Sequence, residues 1–458
     1  MGEVMFEIDE IKYLCDMING TFYISPRSTY EYIMFGDIDH YEILVSFNME
    51  EWLKKVTRVT YKKHAKGYLV TFIDEQLEVY MESLEEPIES YIKKAEFNID
   101  AIVMEISLEA PGYCTYVVKN KEYYASWIDV YNVRSNTKMG YIEPIHLESI
   151  SYHGDLIFKM VELKVKHQLD IKPCLIDQLS QESYEPFGPV KQSFFNILSD
   201  TKSHQALMIL DQIGVLEKAF PLIKQMKENN LWDFGLYCLK KLECVLNSDH
   251  YFQESLSKAI NGTMRFQFEC GLKKYQMIKF SVLFHDVYKI MKLKQNSPEL
   301  YEDHFTDFCS YFDFKEKTCH YYAQVIQSHR KILIDLKESF SEGNLSQIKL
   351  YEFYEEYQDE VIDVLLVLYV DQLCHALHDE EMMKERLSYV MKLYISKYCE
   401  IQCINSEITT MEIDTQQLSD VELTLLIEDV KKNVFFGNLR YDRKTIIKYF
   451  QKLIEQSV

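Results

Sequence analysis

Two spacings of apolar residues divide the chain. Up to about residue 105, short runs alternate apolar and polar positions, as in YLVTFI (68–73) and LEVYM (77–81), with helical stretches between them. Alternation places every second side chain on one face, so these runs predict half-buried strands of a small α/β domain. Asp74-Glu75-Gln76, between the two runs, predicts a hairpin connection. Strand-like pieces continue at TYVV (115–118) and EYYASWIDVY (122–131). Beyond about residue 155 the spacing becomes helical, in KQSFFNIL (191–198), then in HQALMILDQIGVLEKAF (204–220), and on to the last residues. Gly214 and Pro221 read as short loops between helices, not as a domain linker. No internal repeat or low-complexity tract interrupts the pattern. The predicted class is α+β: a head over 1–150, a helical neck over 151–240, a second helical domain over 241–385 and a helical tail over 386–458.

Composition narrows this picture. At 458 residues the chain is too long for one ordinary core. Only 14 Gly and 9 Pro fit a largely helical protein, and 34 Tyr with 26 Phe can fill several cores and still leave rings exposed for stacking. The net charge of -22, from 72 acidic against 50 basic residues, disfavours indiscriminate adhesion to nucleic acid or anionic membranes. An RNA partner would therefore need a local basic patch; KKVTRVTYKKHAK (54–66) and KMVELKVK (159–166) offer one, although such runs also serve as solvated faces. The 11 Cys show no CxxC spacing, which predicts reduced thiols rather than a disulfide framework or a zinc knuckle. No apolar run approaches the ~20 residues that span a bilayer, and the first residues, MGEVMFEIDE, lack a basic-then-apolar signal. The expectation is a soluble cytoplasmic protein without a membrane partner.

Chemistry first shows in FSVLFHDVYK (280–289), where an apolar helical run ends on His285-Asp286. An imidazole and a carboxylate leaving one helix turn can reach the same ion. His250 lies upstream, His304 and His329 follow, and Asp371 sits in the apolar run VLLVLYVDQLCHA. This order resembles the HD superfamily of metal-dependent phosphohydrolases. The resemblance implies that His250, His285, Asp286 and Asp371 bind one metal, with His304 and His329 near a second metal or the substrate phosphate. Imidazoles and carboxylates suit Mn²⁺, Fe²⁺, Ni²⁺ or Co²⁺. Lys289, one turn on, is placed to neutralise a phosphate. The competing reading is a histidine bonded within the core and others on the surface.

In the head, Asp37 and Asp39 of GDIDHYEILV would alternate on a strand and project from one face, with Glu78 of LEVYM on a neighbouring strand. Two Mg²⁺ ions in such a cluster can activate a 3′ hydroxyl and stabilise a leaving pyrophosphate. The alternative is that both aspartates are turn residues. The order of motifs resembles the class II tRNA nucleotidyltransferase (CCA-adding) and bacterial poly(A) polymerase family. ALMILDQIGVLEKAFPLI (206–223) is similar to that family's ALxLLDELGLLEELFPEL stretch, and KAEFNIDAI (94–102) to its RRDFTINAL segment.

Departures from the family are equally informative. Ser25-Pro26 stands where the family has a Gly-Gly turn, and Pro lacks the N–H that would bind a phosphate. His153, Leu156, Lys159 and Glu162 occupy the positions of its base-reading and phosphate-binding helix. Leu cannot read a base edge and Glu162 repels phosphate, so the nucleotide template is dismantled. Lys94 and Lys159 remain as candidate substrate contacts. The resemblance thus implies metal-dependent phosphoryl chemistry on RNA ends, tRNA among them, or on nucleotides, with the HD site as the seat of what survives. Two alternatives stay open: a template-independent RNA nucleotidyltransferase using the head carboxylates, and a silent scaffold binding RNA or protein. The basic stretch RYDRKTIIKYFQK (440–452) could meet RNA phosphates or be an ordinary helix face.

Overall fold

The computed structural model describes residues 9–108, 114–118, 121–147, 150, 153–182, 190–248, 251–252, 254–287, 289–290, 308–326, 347–375, 380–398, 401, 404, 408 and 419–457. The chain forms two compact units, Met1–Ile197 with Ile209–Ala219, and Leu198–Met208 with Phe220–Val458.

The first unit is built on one eight-stranded sheet in the order β3-β4-β5-β2-β1-β6-β8-β7. The strands are β1 (Phe22–Ile24), β2 (Tyr41–Val45), β3 (Val59–Lys63), β4 (Tyr68–Phe72), β5 (Leu77–Ser83), β6 (Ile102–Ser107), β7 (Cys114–Val118) and β8 (Lys121–Asp129). β2 and β5 run parallel, and the remaining pairs run antiparallel. The predicted β4–β5 hairpin is present, and Gln76 turns it with φ 53°. Alternation does what the pattern requires. Tyr68, Val70, Phe72, Val79 and Met81 join Ile43 and Val45 in one core, closed by Ile11, Leu14, Cys15 and Ile18 of helix α1 (Asp9–Ile18). The opposite face buries Leu44 and Val103 with Ile88, Ile92 and Ala101. Helix α2 (Pro26–Phe35) starts on the Ser25 hydroxyl, which accepts from the Ser28 amide, and carries Pro26 in its first turn. It stops at Gly36, whose φ of 78° lets its amide close on the Tyr32 carbonyl.

The second unit is helical wherever it has regular structure among the described residues. Its central helix, Val361–Cys374, is buried from Val361 to Leu373, as a helix with apolar residues all round must be, and it takes Asp363, Asp371 and Gln372 inside with it. The Trp232–Asn247 helix packs on it and on the Lys274–Leu283 helix. Close approach of the latter pair requires Gly235, because a Cβ there would lie 2.4 Å from the Leu283 carbonyl oxygen. Phe280, Phe284, Phe308, Phe312, Phe314 and Tyr322 fill the space beyond Leu283, with Phe280 and Phe284 centroids 4.7 Å apart and Phe308 stacked on Tyr322 at 5.2 Å. Among the described residues no helix is long and apolar enough to cross a membrane.

This apolar body encloses charge. Lys279, fully buried, bonds Glu243 at 3.0 Å, the Ser203 hydroxyl at 3.1 Å and the Asp200 carbonyl. Glu243 also accepts from the His204 amide and bonds the His204 ring, so the carboxylate caps the helix that begins at Ser203. Burial alone would raise the Glu243 carboxyl, but the bonds from His204 and Ser203 and the Lys279 ammonium hold it below the ordinary range.

Removing one partner leaves the other charge buried alone, so Glu243→Ala should cost about 3–5 kcal/mol in urea unfolding at neutral pH. A depressed folded value means that this stabilisation is complete above the unfolded value near 4.5 and lost as pH falls through the folded one. The urea midpoint of the native chain should therefore drop more steeply below about pH 4.5 than that of Glu243→Gln.

Candidate functional site

The Lys274–Leu283 helix ends in a turn made by Phe284, His285 and Asp286, where the Phe284 amide closes on Phe280 O at 3.0 Å and the Val287 amide on Phe284 O at 3.0 Å. The turn delivers two ionisable side chains into an apolar interior. His285 and Asp286 are only 2 % and 3 % exposed at their side chains. His285 Nδ1 lies 2.7 Å from the Val282 carbonyl, which can only accept, so Nδ1 carries the proton. That bond aims Nε2 at Asp371 Oδ1, 3.3 Å away, and at Asp286 Oδ2, 3.8 Å away. Asp371 comes from the central helix and is held there by two more groups: Gln372 Nε2 donates to its Oδ2 at 3.2 Å, and His375 Nε2 lies 3.2 Å from its Oδ1. Lys289 places its ammonium on Asp286 Oδ2. Phe234 covers the group, its ring 5.7 Å from His285 and 4.9 Å from His375.

A neutral imidazole presents a lone pair at Nε2, and two carboxylates beside it are acceptors as well. Such a set calls for a cation or a proton between its members, and an imidazole fixed through a carbonyl is a common metal-ligand arrangement. The donor types therefore fit a divalent ion. As they stand, Lys289 supplies the positive charge, and among the described residues no group of three or more His, Cys, Asp or Glu is arranged to hold a metal ion. His250, His304 and His329 lie outside the described residues. His375, 48 % exposed at its side chain, was missed in the sequence; its signal is the four-residue step from Asp371 in DQLCH, one helix turn.

The head corrects the sequence reading. Asp37 and Asp39 do not alternate on a strand; they lie exposed in the turn between α2 and β2, and Asp37 Oδ1 accepts from the Ile38 amide at 2.8 Å. Gly36 has already broken the backbone direction, and a short carboxylate bonding the next amide is turn chemistry. The strand begins at Tyr41, so its outward carboxylate is Glu42, with Leu44 two residues on. Glu42 is held by Arg27 Nη1 at 2.7 Å and the Ser25 hydroxyl at 3.3 Å. Glu82, on parallel β5 in register with Leu44, is raised by burial and by the Glu42 charge, with Lys66 opposing. Glu78 is exposed on β5 and accepts from the Thr71 hydroxyl at 3.4 Å. Nothing local in the sequence singles out Glu42 or Arg27: the DxD spacing of GDID stands just before the strand, and the two partners are 15 residues apart.

The other candidates are tied to neighbours. Lys94 pairs with Glu86 at 2.5 Å and Lys159 with Glu96. Glu162 accepts from Asn196 Nδ2 at 2.8 Å. In the NID stretch, Asn98 is buried and bonds Tyr141 O at 2.8 Å and the Glu143 amide at 2.9 Å, so it clasps the chain that precedes the Gly154–Lys166 helix.

No protein-family model matches the chain, and no curated protein matches it in sequence. Solved structures do. A CCA-adding enzyme in complex with CTP is 14% identical, with a TM-score of 0.56, over 97% of this chain and 95% of that one. The Thermotoga maritima CCA-adding enzyme complexed with tRNA is 13% identical, with a TM-score of 0.54, over 97% and 95%. A tRNA nucleotidyltransferase with a primer tRNA and an incoming ATP analog is 14% identical, with a TM-score of 0.52, over 86% and 99%. The chain has the fold of the CCA-adding enzymes along nearly its whole length.

Because the turn bearing His285 hangs from Leu283, Gly235 sets its position. Gly235→Ala should push the two helices apart and cost about 1–3 kcal/mol in thermal or urea unfolding, in the range for overpacking.

Proposed function

We propose that this chain is a metal-dependent phosphohydrolase acting on RNA ends or nucleotides, with its chemistry at His285, Asp286 and Asp371. The observation that carries this reading is the convergence of His285 Nε2 with two carboxylates inside an apolar core, although His285 and Asp371 are 86 residues apart. Ionisable groups buried at such cost are common at sites of chemistry. His285, Asp286 and Asp371 would hold a Mn²⁺, Fe²⁺, Ni²⁺ or Co²⁺ ion, which when bound activates water and polarises a phosphoester. Lys289 would exchange its bond to Asp286 for the substrate phosphate, and half-exposed His375 marks the solvent side. Neighbours of the same fold were solved with tRNA, CTP or an ATP analog, and this supports RNA, tRNA among them, or nucleotide as the substrate class.

A second reading, a silent RNA-binding scaffold, is favoured by the head. Its strand carboxylate already carries Arg27, and Ser25-Pro26 offers no phosphate-binding turn. Against a Mg²⁺-dependent transferase using Asp37, Asp39 and Glu78 stands their placement, the two aspartates exposed in a turn and Glu78 exposed on β5 beside Thr71.

One set of assays separates these readings. Protein loaded with Mn²⁺ should hydrolyse RNA ending in a 2′,3′-cyclic phosphate or a cyclic nucleotide, and His285→Ala or Asp371→Asn should lower the rate at least about 100-fold with the helical circular dichroism intact. A metal-free protein as inactive as His285→Ala would remove the hydrolase and leave the scaffold. With labelled NTPs, Mg²⁺ and tRNA, no extension is expected; extension lost in Glu42→Gln would instead restore the transferase.

A further inference from the structure

The rim of the site is aromatic. The Phe234 and His375 rings lie 4.9 Å apart, tilted by 32°, and His375 is 48 % exposed at its side chain. Its Nε2 sits 3.2 Å from the Asp371 oxygen that His285 also faces, so a flat group laid on His375 lies beside the converging donors. From this pair a stripe of the Trp232–Asn247 helix leads outward. Phe234, Tyr237 and Lys241 follow one another at three and four residues, which puts them on one side of the helix over about 10 Å, or two turns. Tyr237 is 45 % exposed, and Lys241 holds its ammonium 5.7 Å from the centre of the Tyr237 ring. Lys240, also exposed, adds a second ammonium next to it.

We propose that the substrate is a single-stranded RNA end of two or more nucleotides, with its last base on the Phe234–His375 pair, the base before it on Tyr237 and the following phosphate on Lys240 and Lys241. The chemistry in this inference rests on the hydrolase reading above; the binding does not. Aromatic rings alternating with cations are what a single strand needs, because every base has a face to stack and every linkage carries a charge. In a chain of net charge -22 the surrounding surface repels phosphate, so two lysines beside an exposed ring are a local exception. A mononucleotide would use only the first platform and leave Tyr237 and both lysines without contact. Duplex RNA is disfavoured, since its bases are already stacked on one another.

The test uses the full chain and a fluorescein-labelled RNA trinucleotide ending in a 3′-phosphate, followed by polarisation without added metal. It should bind at least about tenfold more tightly than the matching mononucleotide, measured by competition, or than a trinucleotide stripped of its bases, the effect expected of a stacked base. Tyr237→Ala should abolish this gain and Tyr237→Phe retain it. Lys241→Gln should flatten the slope of log affinity against log salt by about 0.7, the share of one phosphate on a single strand. In Mn²⁺-loaded protein, KM for 2′,3′-cyclic phosphate substrates should fall at least about tenfold from mononucleotide to trinucleotide, a ratio that collapses toward one in Tyr237→Ala. Equal affinity for the baseless trinucleotide or for a blunt duplex, or a length gain untouched by Tyr237→Ala, would overturn the stripe. Metal-dependent turnover without length preference would also overturn it and leave the hydrolase standing. Binding that depends on Tyr237, with no turnover at any metal, would uphold the stripe and sink the hydrolase reading instead.

Discussion

A carboxylate buried in an apolar helical body must find a positive charge or hydrogen-bond donors, and the second unit is arranged around that requirement. Its central helix is apolar on every side yet carries Asp363 and Asp371 inward. Lys274 meets Asp363 at 2.8 Å, Lys279 meets Glu243 at 3.0 Å and Lys289 meets Asp286, so three lysines of one segment serve three carboxylates. The first two pairs fasten helices to one another. The third is different in kind, because Asp286 also faces an imidazole and a second carboxylate, and because Lys289 reaches it from a half-exposed position.

The same rule explains the head. In a strand-borne cluster of carboxylates the compensating charge would be an ion, whereas here Arg27 on the first turn of α2 reaches Glu42 from within the chain. A guanidinium is always charged and binds without regard to metal supply. The two units thus stand at different points on one scale. In the head the internal cation sits on the lone outward carboxylate of β2; in the helical unit the internal cation covers only one of three converging donors.

How far the sequence could be read follows from how local each signal is. The β4–β5 hairpin, the break at Gly214 and the helical body were legible because alternation, glycine punctuation and apolar spacing act over a few residues. His285, Asp286 and Asp371 were legible as types in order along apolar runs. Asp37 and Asp39 misled because a DxD spacing fits a strand and a turn equally; the decision fell to Gly36, which ends α2 and leaves the next residues to close a loop. Glu42 and His375 carry no message alone, since one acquires meaning only from Arg27 across 15 residues and the other only from Asp371 and Phe234.

By itself the sequence determined the α+β class, the strand alternation of the head, the helical body and the residue types available for chemistry, because those depend on side-chain spacing and backbone preference. Tertiary structure alone decided which carboxylate each cation neutralises, that Gly235 brings the His285 turn against the helix of Phe234, and that His285 Nε2 faces Asp371. Those outcomes depend on distances between segments far apart in the chain, and the cost of burying charge is settled only when such segments meet.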